Sequence, residues 1–345
     1  MTSELPALRR SHRLAWLLAA MLTAGAVIVG LPKYQAFIAP PSPVVGAQWE
    51  AVLAQVRDLE RRIGFRPTEN FARLATDLTS YPFCGRASNR RLPYSYQDRL
   101  IEWPQIEQEA ECNQVGADTD VYFDKVEAWG EIRTPVTAAM VAGKLDRFVY
   151  LVIHEDCHDQ YELPYGIEEP LCDVITHRAM KQFARERYRP LDVERRALDR
   201  YARTEPKSTR ITITYYRHLE QLYARYEQGH ISHGQMLELR AQIFRSAEDA
   251  LDLAEGQINS IMFANYMTYS RHYPALAQVA ARWGDDLAGM VAFFRLVDAR
   301  KPEREWVAKR LGIEDEKDPA LLRAYEESVL ATARAMAGAT VPIKR

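Results

Sequence analysis

The chain has 345 residues, 47% of them hydrophobic, with 45 basic and 47 acidic side chains interspersed to a formal net charge of −2. A near-neutral mixed surface has no basic stripe to follow a phosphate backbone, so nucleic acid is not an expected partner. There is no Gly-rich phosphate loop and no low-complexity tract, and the length allows a sizeable core in one large domain or two small ones.

The N-terminal segment is unlike the rest, and a buried core helix is the lesser reading of it. Arg9, Arg10 and Arg13 precede an uncharged run over residues 14–31 in which Thr23 is the one polar side chain. Segment 1–32 therefore reads as a signal peptide or a single membrane anchor, with the basic flank cytoplasmic and everything after Pro32 outside. Ala24-Gly25-Ala26 offers a small-residue cleavage site, but the apolar run continues through Val27, Ile28 and Val29. That length favours an uncleaved anchor.

Residues 33–46, with Ala39-Pro40-Pro41-Ser42-Pro43, read as a stiff Pro-rich linker. A mixed lobe is expected over 47–143. In it, Trp49, Val52, Leu53, Val56 and Leu59 recur at three- and four-residue intervals and predict an amphipathic helix ending at Gly64. Thr68 is an expected N-cap for a second short helix through Phe71 and Leu74. The Tyr-, Pro-, Asn- and Gly-rich stretch 80–135 contains short β-prone pieces, Val121-Tyr122-Phe123 and Val126-Glu127-Ala128-Trp129. Thr134-Pro135 is expected to restart helix. Two helices follow in segment 144–187, over about residues 145–160 and 168–187, and segment 188–345 reads as a helical C-terminal lobe.

Four cysteines, in a chain expected to be exported, permit two disulfides. Cys84 with Cys112 and Cys157 with Cys172 are the shorter-loop pairings among three possible connectivities. The alternative for Cys157 and Cys172 is that both are small core residues.

The chemistry concentrates at His154-Glu155-Asp156-Cys157-His158. Histidines at i and i+4 lie about 40° apart around a helix and can share one metal ion, with the intervening glutamate free to take a proton from water. Phe148, Val149, Leu151, Val152 and Ile153 make the preceding turns apolar, so the helix should be buried. Buried, unpaired charge is costly, and a metal would partner the two histidines, the glutamate and the two aspartates. Roughly one chain in a hundred of this composition would show HExxH by accident, so a second feature matters. It is Glu169, followed at i+4 by Asp173. Glu168 is the competing third ligand. Leu163-Pro164-Tyr165-Gly166 supplies turn residues between the helices, and Pro170 is expected early in the second one.

This E-x-x-x-D spacing after HExxH resembles the second motif of thermolysin-like gluzincins. The resemblance implies that Glu169 is the third zinc ligand, beside His154 and His158, and that Asp173 holds the distal N–H of His154. It implies that Glu155 is the catalytic base. The ten-residue connection from His158 to Glu169 is shorter than that family's. A wider pattern, Ala128-Trp129-Gly130, Thr134-Pro135-Val136 and Met140 before the motif, then Ile258-Asn259-Ser260, Tyr269 and Pro274-Ala275-Leu276 after it, is similar to a family of bacterial predicted aminopeptidases of the zincin type. Here Glu-Pro-Leu-Cys-Asp departs from that family's usual pattern of small residues.

The resemblance implies an α+β, predominantly helical zincin-like fold, with the cleft between a small mixed N-terminal lobe and a helical C-terminal lobe. It implies a zinc-dependent peptidase, with peptide as substrate and Tyr269 as oxyanion donor ahead of His272, His230 and His233. Residues 127–131 would form an edge strand along the substrate, and Glu127 or Glu131 would hold a free α-amine. Trp129 is expected in the core, His177 as structural, and Asp159 as a helix-end cap or a support for the ligands. The expected location is a bacterial inner membrane with a periplasmic catalytic domain, or secretion if the leader is removed. Two rivals remain: a zinc hydrolase of another amide, such as cell-wall peptide, and a non-catalytic, membrane-tethered scaffold with a structural metal site.

Overall fold

A computed structural model describes residues 41–75, 77–130 and 133–339. The expected anchor, residues 1–32, and the first part of the linker lie outside the described residues, as does Glu131. Among the described residues, no helix is long and apolar enough to cross a membrane. From Ser42 onward the chain packs as one unit.

Helix predominates. Helix α1, Trp49–Arg62, buries Val52, Val56 and Leu59 along one stripe. It stops where Gly64 takes φ +86°, a left-handed conformation that glycine adopts without strain. The end of the expected linker is already part of the fold. Ser42 donates to Asp146 at 2.8 Å, and Val45 is buried. The amide of Leu145, first residue of the motif helix, donates to the Pro43 carbonyl at 2.8 Å.

The second short helix expected from Thr68 does not form. The Thr68 hydroxyl is spent on Asp156, at 2.5 Å, and Phe71 sits at φ 56°, which no helix continues through. Leu74–Ala75 is instead a short strand, β1, paired in parallel with β4, Val136–Thr137. Thr134-Pro135 thus leads into strand first. Helix begins only at α3, Ala138–Ala142, where the Thr137 side chain accepts from the Met140 amide.

The larger sheet is an antiparallel pair, β2, Tyr81–Ser88, against β3, Thr119–Val126, in the register Tyr81↔Val126 and Cys84↔Phe123. A one-turn helix, α2, Glu109–Cys112, lies between them in sequence. Strand β3 ends at Val126, so residues 127–130 are not the expected edge strand; the Glu127 carbonyl accepts from the Thr137 hydroxyl at 2.9 Å instead of from a strand partner.

Helix α4, Leu145–His158, carries the HExxH motif and is buried along most of its length. Helix α5, Tyr165–Arg187, starts earlier than expected, so Tyr165 and Gly166 belong to it rather than to the turn. Pro170 falls inside α5, and since proline has no N–H, the Gly166 carbonyl loses its i+4 donor. Helices α6, Val193–Glu227, α7, His233–Leu251, and α8, Ser260–Ser270, follow. Ser232 with Gln235 forms a capping box on α7, and Asn259 caps α8. The last described helices are α9, Tyr273–Ala280, α10, Leu287–Asp298, α11, Arg304–Leu311, and α12, Pro319–Ala339.

The main core joins α1, α4, α5, α9, α10 and α12, through residues such as Val56, Phe148, Ile175, Leu276 and Phe294. A second core lies among α6, α7 and α8, around Leu219, Met236 and Phe263. A small third cluster, Ala87 and Ile101 against Ile261 and Ala264, fastens the β2–β3 hairpin to α8. With α4 and α5 on one side and α8 with β3 on the other, a cleft opens over the HExxH face.

Candidate metal centre

His154 and His158 project from one face of α4, and Glu169 reaches them from the second turn of α5. His154 Nε2 lies 3.0 Å from Glu169 Oε2, His158 Nε2 lies 3.5 Å from that same oxygen, and the two Nε2 atoms are 3.3 Å apart. The three residues form a group that could hold a metal ion.

Each histidine is gripped from behind by a carboxylate. His154 Nδ1 is 3.2 Å from Asp173 Oδ1, close enough for charge pairing though short of good hydrogen-bond alignment. Asp173 is itself held by the Tyr150 hydroxyl at 2.7 Å, and the Tyr150 ring stacks on His154. His158 Nδ1 is 2.8 Å from Glu168 Oε1, while Glu168 Oε2 accepts from the Leu163 amide at 3.1 Å. Glu168, the competing ligand in the sequence, thus sits behind the donor triangle rather than in it. One carboxylate both orients an imidazole and ties down the turn between the helices.

The electrostatics ask for positive charge. Burial disfavours an imidazolium at His154, but the neighbouring carboxylates of Asp173 and Glu169 outweigh it and lift the pKa to about 9. His158 behaves alike: burial works against its charge, and Glu169 and Glu168 raise the pKa regardless. Burial would push Glu169 up, yet the two histidines hold its carboxyl far below the usual range.

Glu155 points into the cleft beside the triangle, where its Oε2 accepts from the Gly130 amide at 2.6 Å. A Cβ on residue 130 would stand 2.8 Å from that oxygen, so the approach requires glycine. Asn70 holds the segment: its Nδ2 donates to the Glu155 carbonyl and its Oδ1 accepts from the Thr134 amide.

The cleft extends in two arms that share Ala128, Glu155, Asn265 and Tyr269. Phe83, Tyr96, Trp129 and Tyr165 line one, while Asp124, Arg147, Tyr201 and Leu251 line the other. Trp129, expected in the core, is only half-buried and forms part of the aromatic wall, edge-on to Phe83 at 5.0 Å. Tyr269 reaches the cleft from α8, its ring 6.2 Å from that of His154. Burial, then the charges of Glu169 and Glu155, hold its phenol protonated. Tyr165 is in the same state through burial and Glu169, and sequence reasoning missed it because it was assigned to the turn.

The other expected donors lie elsewhere. His272 is buried against Glu326 at 3.0 Å, His233 bonds Asn89 at 3.1 Å, and His230 is exposed beyond the end of α6. None of the three lines the cleft. Glu127 pairs with Arg147 at 2.8 Å, and so does not stand free to hold an amine. Asp159 is the C-cap of α4 and accepts from Asn70 at 3.2 Å. Asp156 needs no metal, being paired with Arg57 on the opposite face of α4. Cys157 is bonded to Cys172 and Cys84 to Cys112, so neither pair is a set of free core thiols.

Comparison with protein-family models, curated proteins and solved structures finds no match. The functional reading therefore rests on the geometry of the site.

Proposed function

We propose that this chain is a zinc-dependent hydrolase of peptide amide bonds, on a zincin-like plan, with His154, His158 and Glu169 as metal ligands. One observation carries the reading. Zinc ligands at about 2.0–2.1 Å in tetrahedral geometry stand roughly 3.3–3.4 Å apart, and the three donor atoms here are separated by 3.0, 3.3 and 3.5 Å. Both imidazoles present Nε2, each with a carboxylate behind Nδ1, the arrangement that orients metal-bound histidines. The donor triangle opens onto the cleft that Glu155 also lines.

When bound, zinc would polarise a carbonyl and acidify water towards neutral pH. Glu155, held by the Gly130 amide, takes the proton of the attacking water and returns it to the leaving amine. The protonated phenols of Tyr269 and Tyr165 line the cleft, and Tyr269 is the first candidate donor to an oxyanion. Two disulfides favour an oxidising, extracytoplasmic setting, in keeping with the apolar N-terminal segment. The aminopeptidase label rests on resemblance alone, and the engagement of Glu127 by Arg147 removes one of its two expected amine anchors.

The test is chelator-sensitive hydrolysis of a peptide library by zinc-loaded protein, set beside Glu155→Gln. The expected result is a loss of about 10²- to 10⁴-fold in kcat with zinc content retained. Zinc-replete protein that cleaves no peptide, and whose Glu155→Gln variant is indistinguishable from it, returns the site to the scaffold reading. Activity confined to cell-wall amides selects the other hydrolase.

A further inference from the structure

Cys157 directly precedes His158 on α4, and Cys172 directly precedes Asp173, three residues beyond Glu169 on α5. Their disulfide is wholly buried, both residues being 0% exposed. It therefore joins the turn that presents one metal donor to the turn that presents another, and closes a loop of sequence separation 15 across the short connection between the helices. The other disulfide, Cys84–Cys112, joins β2 to α2, and neither of its residues lines the cleft.

We infer that the Cys157–Cys172 disulfide is a positioning element of the metal centre: it sets the α4–α5 register in which His154, His158 and Glu169 converge, so full zinc affinity is reached only after the two thiols are oxidised. This rests on the zinc reading above. In the oxidation, the two thiols form one S–S bond and pass two electrons and two protons to a disulfide-bearing exchange partner, which leaves as a dithiol. In an exported chain, zinc loading then follows arrival in the oxidising compartment. Linkage makes the effect reciprocal: zinc strengthens the disulfide against reduction by the factor by which the disulfide strengthens zinc binding.

The experiment titrates zinc into the full-length protein against a competing chelator, comparing wild type, the Cys157→Ala/Cys172→Ala double variant, and Cys84→Ala/Cys112→Ala. The expected result is a zinc Kd weakened about 10- to 100-fold in the first variant and unchanged in the second, whatever each loses in Tm. Lower Tm in both variants with wild-type zinc affinity overturns the inference, because a bond that merely stabilises the fold does that. If the first variant does not fold, wild type is poised in dithiol–disulfide buffers, and the Cys157–Cys172 redox state is read by alkylation and mass mapping. Tenfold coupling lowers the reduction potential by about 30 mV when zinc is present, and no shift overturns the inference. Wild type that fails to bind zinc sinks the metal reading and the coupling with it. Wild type that binds, with an equal variant, sinks the coupling alone.

Discussion

Helix α4 buries ionisable groups on two faces, and the two clusters are balanced in different ways. On one face Asp156 is bonded by Arg57 and by the Thr68 hydroxyl, with Glu60 3.2 Å from the same guanidinium. Burial and the Asp156 charge drive the Glu60 carboxyl towards its protonated form. One guanidinium shared between two carboxyl groups balances that cluster from within the chain. On the other face stand Glu155, Glu168, Glu169 and Asp173 around two imidazoles, and no lysine or arginine pairs with any of the four among the described residues. The histidines are pushed towards holding protons in its place. Both clusters satisfy the rule that buried charge needs partners, but only the second leaves the balancing charge to come from outside the chain. A closed cluster holds the helix, and an open one can hold an ion.

The largest effect that would separate the two is on the closed side. Arg57→Met leaves Asp156 buried without its cation, and the expected cost is about 3–5 kcal/mol of folding stability. Zinc affinity of the folded fraction should stay at the wild-type value, because Arg57 touches none of the metal donors. Denaturant unfolding in chelator, beside zinc titration under native conditions, checks both. A variant that loses zinc affinity in proportion to stability would show the two faces to be one coupled network.

On the open side the effects should fall on metal affinity. Asp173→Asn and Glu168→Gln each remove the charge behind one imidazole, and each should weaken zinc binding by roughly 10- to 100-fold. Stability in chelator should change little by comparison. Glu169→Gln, which removes a donor from the triangle itself, should weaken binding more than either. If Glu168→Gln proves worse than Glu169→Gln, the assignment of ligand and support is reversed.

The reach of the sequence can be judged at particular residues. The HExxH helix was legible because an apolar run and a spaced polar face constrain the same element. Asp173 was legible because four residues make one helical turn. The same spacing favours Glu169 over Glu168 as the third donor, because adjacent residues point about 100° apart and only Glu169 shares the Asp173 face. The start of α5 was misplaced because Tyr165 and Gly166 carry turn propensity, and the error hid Tyr165 as a cleft residue. Gly166 has a tertiary reason to be glycine: a Cβ there would stand 2.2 Å from the Glu326 carboxylate on α12, far along the chain. Thr68 has an N-cap's chemistry, but its hydroxyl serves Asp156, a contact 88 residues away that no local rule contains. The Arg57–Asp156 pair, 99 residues apart, lies beyond local rules for the same reason. Trp129 is half-buried in the cleft wall rather than in the core, because a cleft wall needs large rings too.

The smallest expected effect concerns His177, at the edge of the open cluster. Its ring stacks 5.9 Å from Tyr150, its Nε2 is buried without a hydrogen bond, and burial lowers its pKa from the usual 6.5 to about 4. The folded state therefore refuses a proton that the unfolded chain accepts between those values. Its contribution to stability is complete above pH 6.5 and is lost as pH falls towards 4. Between pH 7 and 5.5 the loss should be about 1 kcal/mol. His177→Phe keeps an aromatic ring against Tyr150 and has no proton to bind, so wild type should lose stability relative to the variant as pH falls from 7 to 5.5. Measured in chelator, the subtraction cancels the titration of His154 and His158, which both proteins share. Parallel stability curves from pH 7 to 5 would mean that water reaches the His177 ring and that burial does not hold its pKa down.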